Sequence, residues 1–205
     1  YLMAGAIASL YSYAREWFTR RLKSGLEIVE LNDLASAPEQ AKKLCFDFIT
    51  HWGGTTIYRD QKYLKWRIFD NPYSKPNMIG AYIKGELIGY CGFSLGENQM
   101  GHIVDIFVTE PKNSDISSGD IVYKLLASAT SRMSDMGACG IRGGSMTSHK
   151  FDKLVADEAK KLGYIFFNRG TAVVLNNSYE TNCHRNTDEF KNWSVSRIYT
   201  EGRTG

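Results

Sequence analysis

The chain has 205 residues, 25 Lys and Arg against 22 Asp and Glu, a formal net charge of +3 and 43% hydrophobic residues, which suits one globular domain with a full core and lacks the strong basic excess of a nucleic-acid binder. No run reaches the roughly 18 apolar residues that suggest a membrane span. Cys45, Cys91, Cys139 and Cys183 are spread too widely for the paired ligands of a zinc site or a compact disulfide framework, so the expectation is no bound metal, reduced thiols and a cytoplasmic protein.

Residues 2–23 predict a helix with Leu2, Met3, Ile7, Leu10, Tyr11, Ala14, Trp17, Phe18 and Leu22 on a broad apolar face. Arg15 and Glu16 follow the apolar start instead of preceding it, the reverse of a secretory leader. The chain opens on Tyr1 rather than Met, so residues 1–25 read as an N-terminal helix linking to an upstream part, and 26–205 as the main domain.

Leu26 to Leu31 alternates as a short strand. Pro38 then opens a helix carrying Ala41, Leu44, Cys45, Phe48 and Ile49, and after His51-Trp52-Gly53-Gly54 a third helical pattern runs from Tyr63 to Phe69 and stops before Asn71-Pro72. Met78 to Lys84 and Leu87 to Ser94 predict a hairpin turning at Gly85-Glu86. His102 to Thr109 adds a strand, with Val104, Ile106 and Val108 expected on one face and Ile103, Asp105 and Phe107 on the other.

A loop from Lys112 to Asp120 leads into a long amphipathic helix marked by Ile121, Val122, Leu125, Leu126, Ala129, Met133 and Met136, ending at Gly137. A strand at Cys139 to Met146, a helix from about Ser148 to Leu162, and strands at 164–175 and 193–199 complete the order. This is an α+β (α/β-like) domain: a mixed central sheet, antiparallel at first, with a helical crossover in the middle. The strand, loop and helix at 102–126 form the layout of an anion site, because a helix start offers unpaired N–H groups and the positive end of its dipole.

In this order of elements, residues 78–175 resemble the GNAT superfamily of acyl-CoA-dependent N-acyltransferases. The resemblance rests on Gly85-Glu-Leu-Ile-Gly-Tyr-Cys-Gly92, on His102 to Pro111, on Leu125-Leu126, and on Lys161-Leu-Gly-Tyr164. Arg59 to Arg67, Asn71-Pro72 and Trp193 are similar to a subgroup in which two GNAT-like domains occur in tandem, which implies a second such domain upstream. The resemblance implies a GNAT fold with splayed middle strands and flanking helices. It also implies transfer of an acetyl or other acyl group from acetyl-CoA or another acyl-CoA to an amine of a small molecule, sugar or peptide, by direct attack on the thioester. A variant with tandem domains transfers from aminoacyl-tRNA, which the modest charge does not favour.

For the site, the resemblance implies pantetheine contacts from the backbone of Ile106, Phe107 and Val108, and diphosphate contacts from Ser117, Ser118, Gly119 and Asp120. The usual phosphate-loop pattern is lost, with Ser117, Asp120 and Val122 at its three defining positions, and the usual tyrosine acid is replaced by Ala159. His102 and Asp105 are the candidate bases, expected on opposite faces of their strand by parity. Their plainer readings are a strand-end histidine near solvent and a carboxylate hydrogen-bonded to loop or helix groups. Tyr123 is a candidate cofactor contact, and Tyr63, Trp66 and Arg67 are candidates for an acceptor pocket; packing on the sheet accounts for all four without function. Tyr164 reads as core. The departures leave a second functional reading: a degenerate GNAT-like domain with a binding or structural role in a larger protein.

Overall fold

Local sequence signals and long-range packing agree over most of the domain. The computed structural model describes residues 25–31, 38–54, 56–70, 76–112, 114–144 and 149–165. The helix expected over 2–23, the tandem partner, and nearly all of the two closing strands lie outside them.

Five strands form one sheet in chain order: β1 (Leu26–Glu30), β2 (Asn77–Ile83), β3 (Glu86–Leu95), β4 (Met100–Val108) and β5 (Gly140–Arg142). The first four pair antiparallel, and β5 runs parallel to β4. The β2–β3 turn is closed by Lys84 and Gly85, both at positive φ (51° and 80°), the backbone that a two-residue hairpin turn needs to match strand twist. β5 is shorter than the strand expected from Cys139 to Met146.

The helices are α1 (Pro38–Trp52), α2 (Gln61–Leu64), α3 (Ser118–Asp135) and α4 (Lys150–Lys161). α2 is capped by the Asp60 side chain, which accepts from Tyr63 N–H at 2.8 Å, and runs on as a π-helical turn over Lys65–Phe69. α3 begins three residues earlier than the periodicity suggests, and its buried stripe, including Ile121, Val122, Leu125, Leu126, Ala129 and Met133, packs on one sheet face. α1 and the π turn cover the other face, where Phe48 stacks on Phe107 at 3.8 Å and Ile68 lies against Gly92.

The register of β3 against β4 corrects the simple alternation expected for β4. Gly92 pairs with Asp105 and Phe93 with Ile103, so Val104 is an extra residue, a β-bulge. Parity resets across it. His102, opposite Ser94, and Asp105, opposite Gly92, therefore lie on the same face, together with Phe107, opposite Tyr90. Ile103, Ile106 and Val108 face α3 instead.

Candidate functional site

β4 and β5 form a fork. Their pairing runs from Met100↔Gly140 to His102↔Arg142 and stops there among the described residues, while β4 continues six residues further to Val108. The ladder on the other side tells which β4 backbone groups are left without a strand partner among the described residues. Thr109 N–H donates to Ile88 O at 2.9 Å, and counting back by twos turns Phe107 and Asp105 toward β3 as well. Ile106 and Val108 turn the other way. Of the three residues expected to offer backbone contacts, Phe107 instead uses its backbone within the sheet and its ring in the core.

One of those groups is occupied. Trp52, the last residue of α1, donates its indole N–H to Val108 O at 2.8 Å. Its ring lies 5.4 Å from Phe151 and 4.5 Å from His51, and Phe151 in turn meets Phe48 edge-on at 5.0 Å. An aromatic group from α1 and α4 thus lines the mouth of the fork. His149 caps α4, with Nδ1 accepting from Phe151 N–H at 3.3 Å and Nε2 3.3 Å from Gly53 O. Burial holds its pKa below the ordinary histidine value, against the opposing pull of the Gly53 carbonyl.

Below the fork lies a buried charged cluster. Asp105 receives Arg59 Nε at 3.0 Å and Nη2 at 3.3 Å, and accepts Tyr90 Oη–H at 2.6 Å. Asp105 is 0% and Arg59 1% exposed. The guanidinium also lies 4.2 Å over the Phe107 ring and donates to Thr56 Oγ1 and Ile57 O. Both carboxylate oxygens are engaged, so Asp105 as it stands holds β4 to the α1–α2 connection.

His102 is also fully buried, not a solvent-facing strand end. Its Nδ1 accepts from Arg142 Nε at 3.2 Å, across the last rung of the fork. Ser94, its partner on β3, is 2% exposed with a hydroxyl oxygen that meets no hydrogen-bond partner among the described residues.

At the α3 start, the sequence departures have a physical result. Asp120 N–H donates to Ser117 Oγ at 3.2 Å, and the Asp120 carboxylate takes Ser117 N–H at 2.9 Å and Oγ–H at 2.8 Å, a complete capping box. Ser118 Oγ–H donates to Glu110, and a Cβ added at Gly119 would lie 3.1 Å from Glu158 Oε1. Glu110 faces His51 at 3.6 Å, and Glu158 faces Lys161 at 2.6 Å. The helix start is therefore already supplied with carboxylates, and a diphosphate does not fit it in this arrangement.

The remaining candidates are dispersed. Trp66 is exposed and sits edge-on to Tyr63 at 6.3 Å, with Arg67 over its ring at 5.1 Å. Burial raises the Tyr63 pKa, with Asp105 adding to the effect. Tyr123 is half-buried on α3, Ala159 is packed in α4, and Tyr164 shares a 2.7 Å hydrogen bond with Thr130. Arg59, Tyr90, Trp52 and Arg142 were not singled out for site roles from sequence. The one available signal for Arg59 was a lone strand carboxylate, Asp105, that required some partner. Among the described residues no cluster of three or more His, Cys, Asp or Glu could hold a metal ion, and no helix is long and apolar enough to cross a membrane.

No protein-family model and no curated protein matches this sequence. Solved structures do. An aminoglycoside acetyltransferase from an uncultured soil metagenomic sample, in complex with trehalose, superposes with a TM-score of 0.51 at 13% identity, covering 76% of this chain and 99% of the other. A second soil-metagenome aminoglycoside acetyltransferase gives 0.50 at 16% identity, covering 74% and 99%. An integron cassette protein from the mobile metagenome of V. cholerae gives 0.51 at 10%, covering 76% and 95%. The order of strands, the crossover helix and these superpositions agree: the chain has the GNAT fold, a mixed α+β sheet flanked by helices.

Proposed function

We propose that this chain is an N-acyltransferase that moves an acetyl or other acyl group from acyl-CoA to an amine of a small molecule, sugar or peptide. The observation that carries the reading is the fork: among the described residues the β4–β5 pairing ends at His102↔Arg142, and the backbone of Ile106 and Val108 turns to that side of β4. An extended thioester arm can pair with such an edge as another strand would. A backbone N–H of Ile106 or Val108 can then stabilise the oxyanion formed when the amine attacks the thioester carbonyl. The amine adds, the thiolate leaves with the electron pair of the C–S bond, and the ammonium proton passes to a base or to water. Asp105 is poorly placed to take it, since Arg59 and Tyr90 occupy its oxygens.

A second reading, a degenerate GNAT-like domain with a binding or structural role, draws support from the Ser117–Asp120 capping box and from Trp52 on Val108 O. Calorimetric titration with CoA and acetyl-CoA separates the two. Micromolar binding supports the enzyme, with the diphosphate held away from the capped helix start or opening it. Absence of binding at millimolar ligand rejects the acyl-CoA reading and favours the degenerate domain.

A further inference from the structure

The fork is closed at its base by the pair His102 and Arg142. A guanidinium carries only N–H donors and stays protonated, so the ring nitrogen it meets must present a lone pair. Arg142 Nε points at His102 Nδ1 at 3.2 Å. An imidazolium has a proton on both nitrogens and could not accept that bond. We infer that Arg142 fixes His102 as the neutral tautomer bearing its proton on Nε2, the nitrogen that lies beside Gly96 at the β3–β4 turn.

Three features make this more than a chance contact. The two residues are register partners on parallel strands, His102↔Arg142, so the sheet itself delivers the guanidinium to the ring. His102 is fully buried, which keeps bulk water from competing for Nδ1. The bulge at Val104 is what turns His102 and Asp105 to one face, and Arg59 already neutralises Asp105 there, so that carboxylate is not left to draw a second proton onto the imidazole.

Arg142 is thus a positioning residue acting through His102. Where the acyltransfer reading holds, its consequence is that His102 does not take the ammonium proton while Arg142 is in place. Water becomes the first acceptor of that proton. The tautomer itself does not depend on that reading.

The test is long-range 15N–1H correlation spectroscopy on the full chain with labelled histidine, at pH 7 and without ligand. Four histidines contribute, and the His102 signals are those lost in His102→Gln. The expected pattern is a pyrrole-type Nε2 and a pyridine-type Nδ1. Arg142→Met, which keeps the apolar stem and removes the donor, is expected to shift both nitrogens toward the averaged values of a tautomer mixture, and Arg142→Lys to restore the single pattern. A protonated Nδ1 in the wild type, or an unchanged His102 spectrum in Arg142→Met, overturns the proposal. Should Arg142→Met fail to fold, the wild-type tautomer alone decides. Failure of CoA to bind would sink the acyl-CoA reading and leave this result standing.

Discussion

Arg59 and Asp105 meet head-on in the core, Nε to Oδ2 at 3.0 Å, although 46 positions separate them in the chain. The pair ties the connection between α1 and α2 to the strand that forms one arm of the fork. Removing one partner leaves a charge in a dry environment, which typically costs about 3–5 kcal/mol. Arg59→Met is therefore expected to lower unfolding stability by that order, and Arg59→Met with Asp105→Leu to recover much of it. Urea denaturation of the two variants measures this; equal losses in both would show that the ion pair does not govern the site.

Tyr90 provides the second hold on Asp105, through a 2.6 Å bond to a charged acceptor. Tyr90→Phe keeps the ring stacked 5.8 Å from Phe107 and removes only the hydroxyl. The expected loss is about 1.5–3 kcal/mol, the usual worth of a hydrogen bond to a charged group. Denaturation midpoints at constant slope would register it.

The carboxylates around the α3 start make a separate prediction about ligand affinity. Two unit charges about 4 Å apart interact by ~1 kcal/mol in water. Replacing Glu110 and Glu158 by Gln and Asp120 by Asn is therefore expected to tighten CoA binding by about fivefold or more, read by calorimetry against the wild type. Unchanged or weaker binding would place the diphosphate away from this helix end.

Trp52 occupies the carbonyl that the fork would offer to an extended ligand. Trp52→Phe removes the indole donor while leaving an aromatic against Phe151. A stability loss of about 1 kcal/mol is expected, with a gain in CoA affinity as Val108 O becomes available. An affinity that falls instead would mark the indole as part of the ligand site.

His149 introduces a pH dependence. Its folded pKa lies below the ordinary 6.5 because burial disfavours the charged ring. The unfolded chain then binds the proton more readily, so stability is full above about pH 6.5 and falls as acid carries the pH from there toward the folded pKa. Protonation also removes the lone pair with which Nδ1 caps α4. His149→Asn, a good N-cap without a titrating ring, is expected to flatten the stability profile between pH 5 and 7. A thermal-melt series across that range checks it.

Much of this fold is legible in residue order, because helix and strand periodicities are local. The α3 stripe from Ile121 to Met133, the hairpin expected to turn at Gly85-Glu86 and found to turn one residue earlier at Lys84-Gly85, and the strand before the Ser117 loop follow from spacings of two or three to four residues. The departures at Ser117, Asp120 and Val122 were legible in the same way, whereas the capping box that Ser117 and Asp120 close was not read from them.

The contents of the site were decided elsewhere. A single extra residue, Val104, reset the parity of β4 and moved His102 and Asp105 to a common face, a change that no alternation pattern within the strand reveals. Arg59, Arg142 and Trp52 reach their partners across 46, 40 and 56 positions of chain. The sequence by itself determined which segments form helices and strands and which chemical groups are available. Tertiary structure decided which of those groups meet, because strand register and helix docking are set by burial of whole faces and not by any one residue's neighbours in the chain.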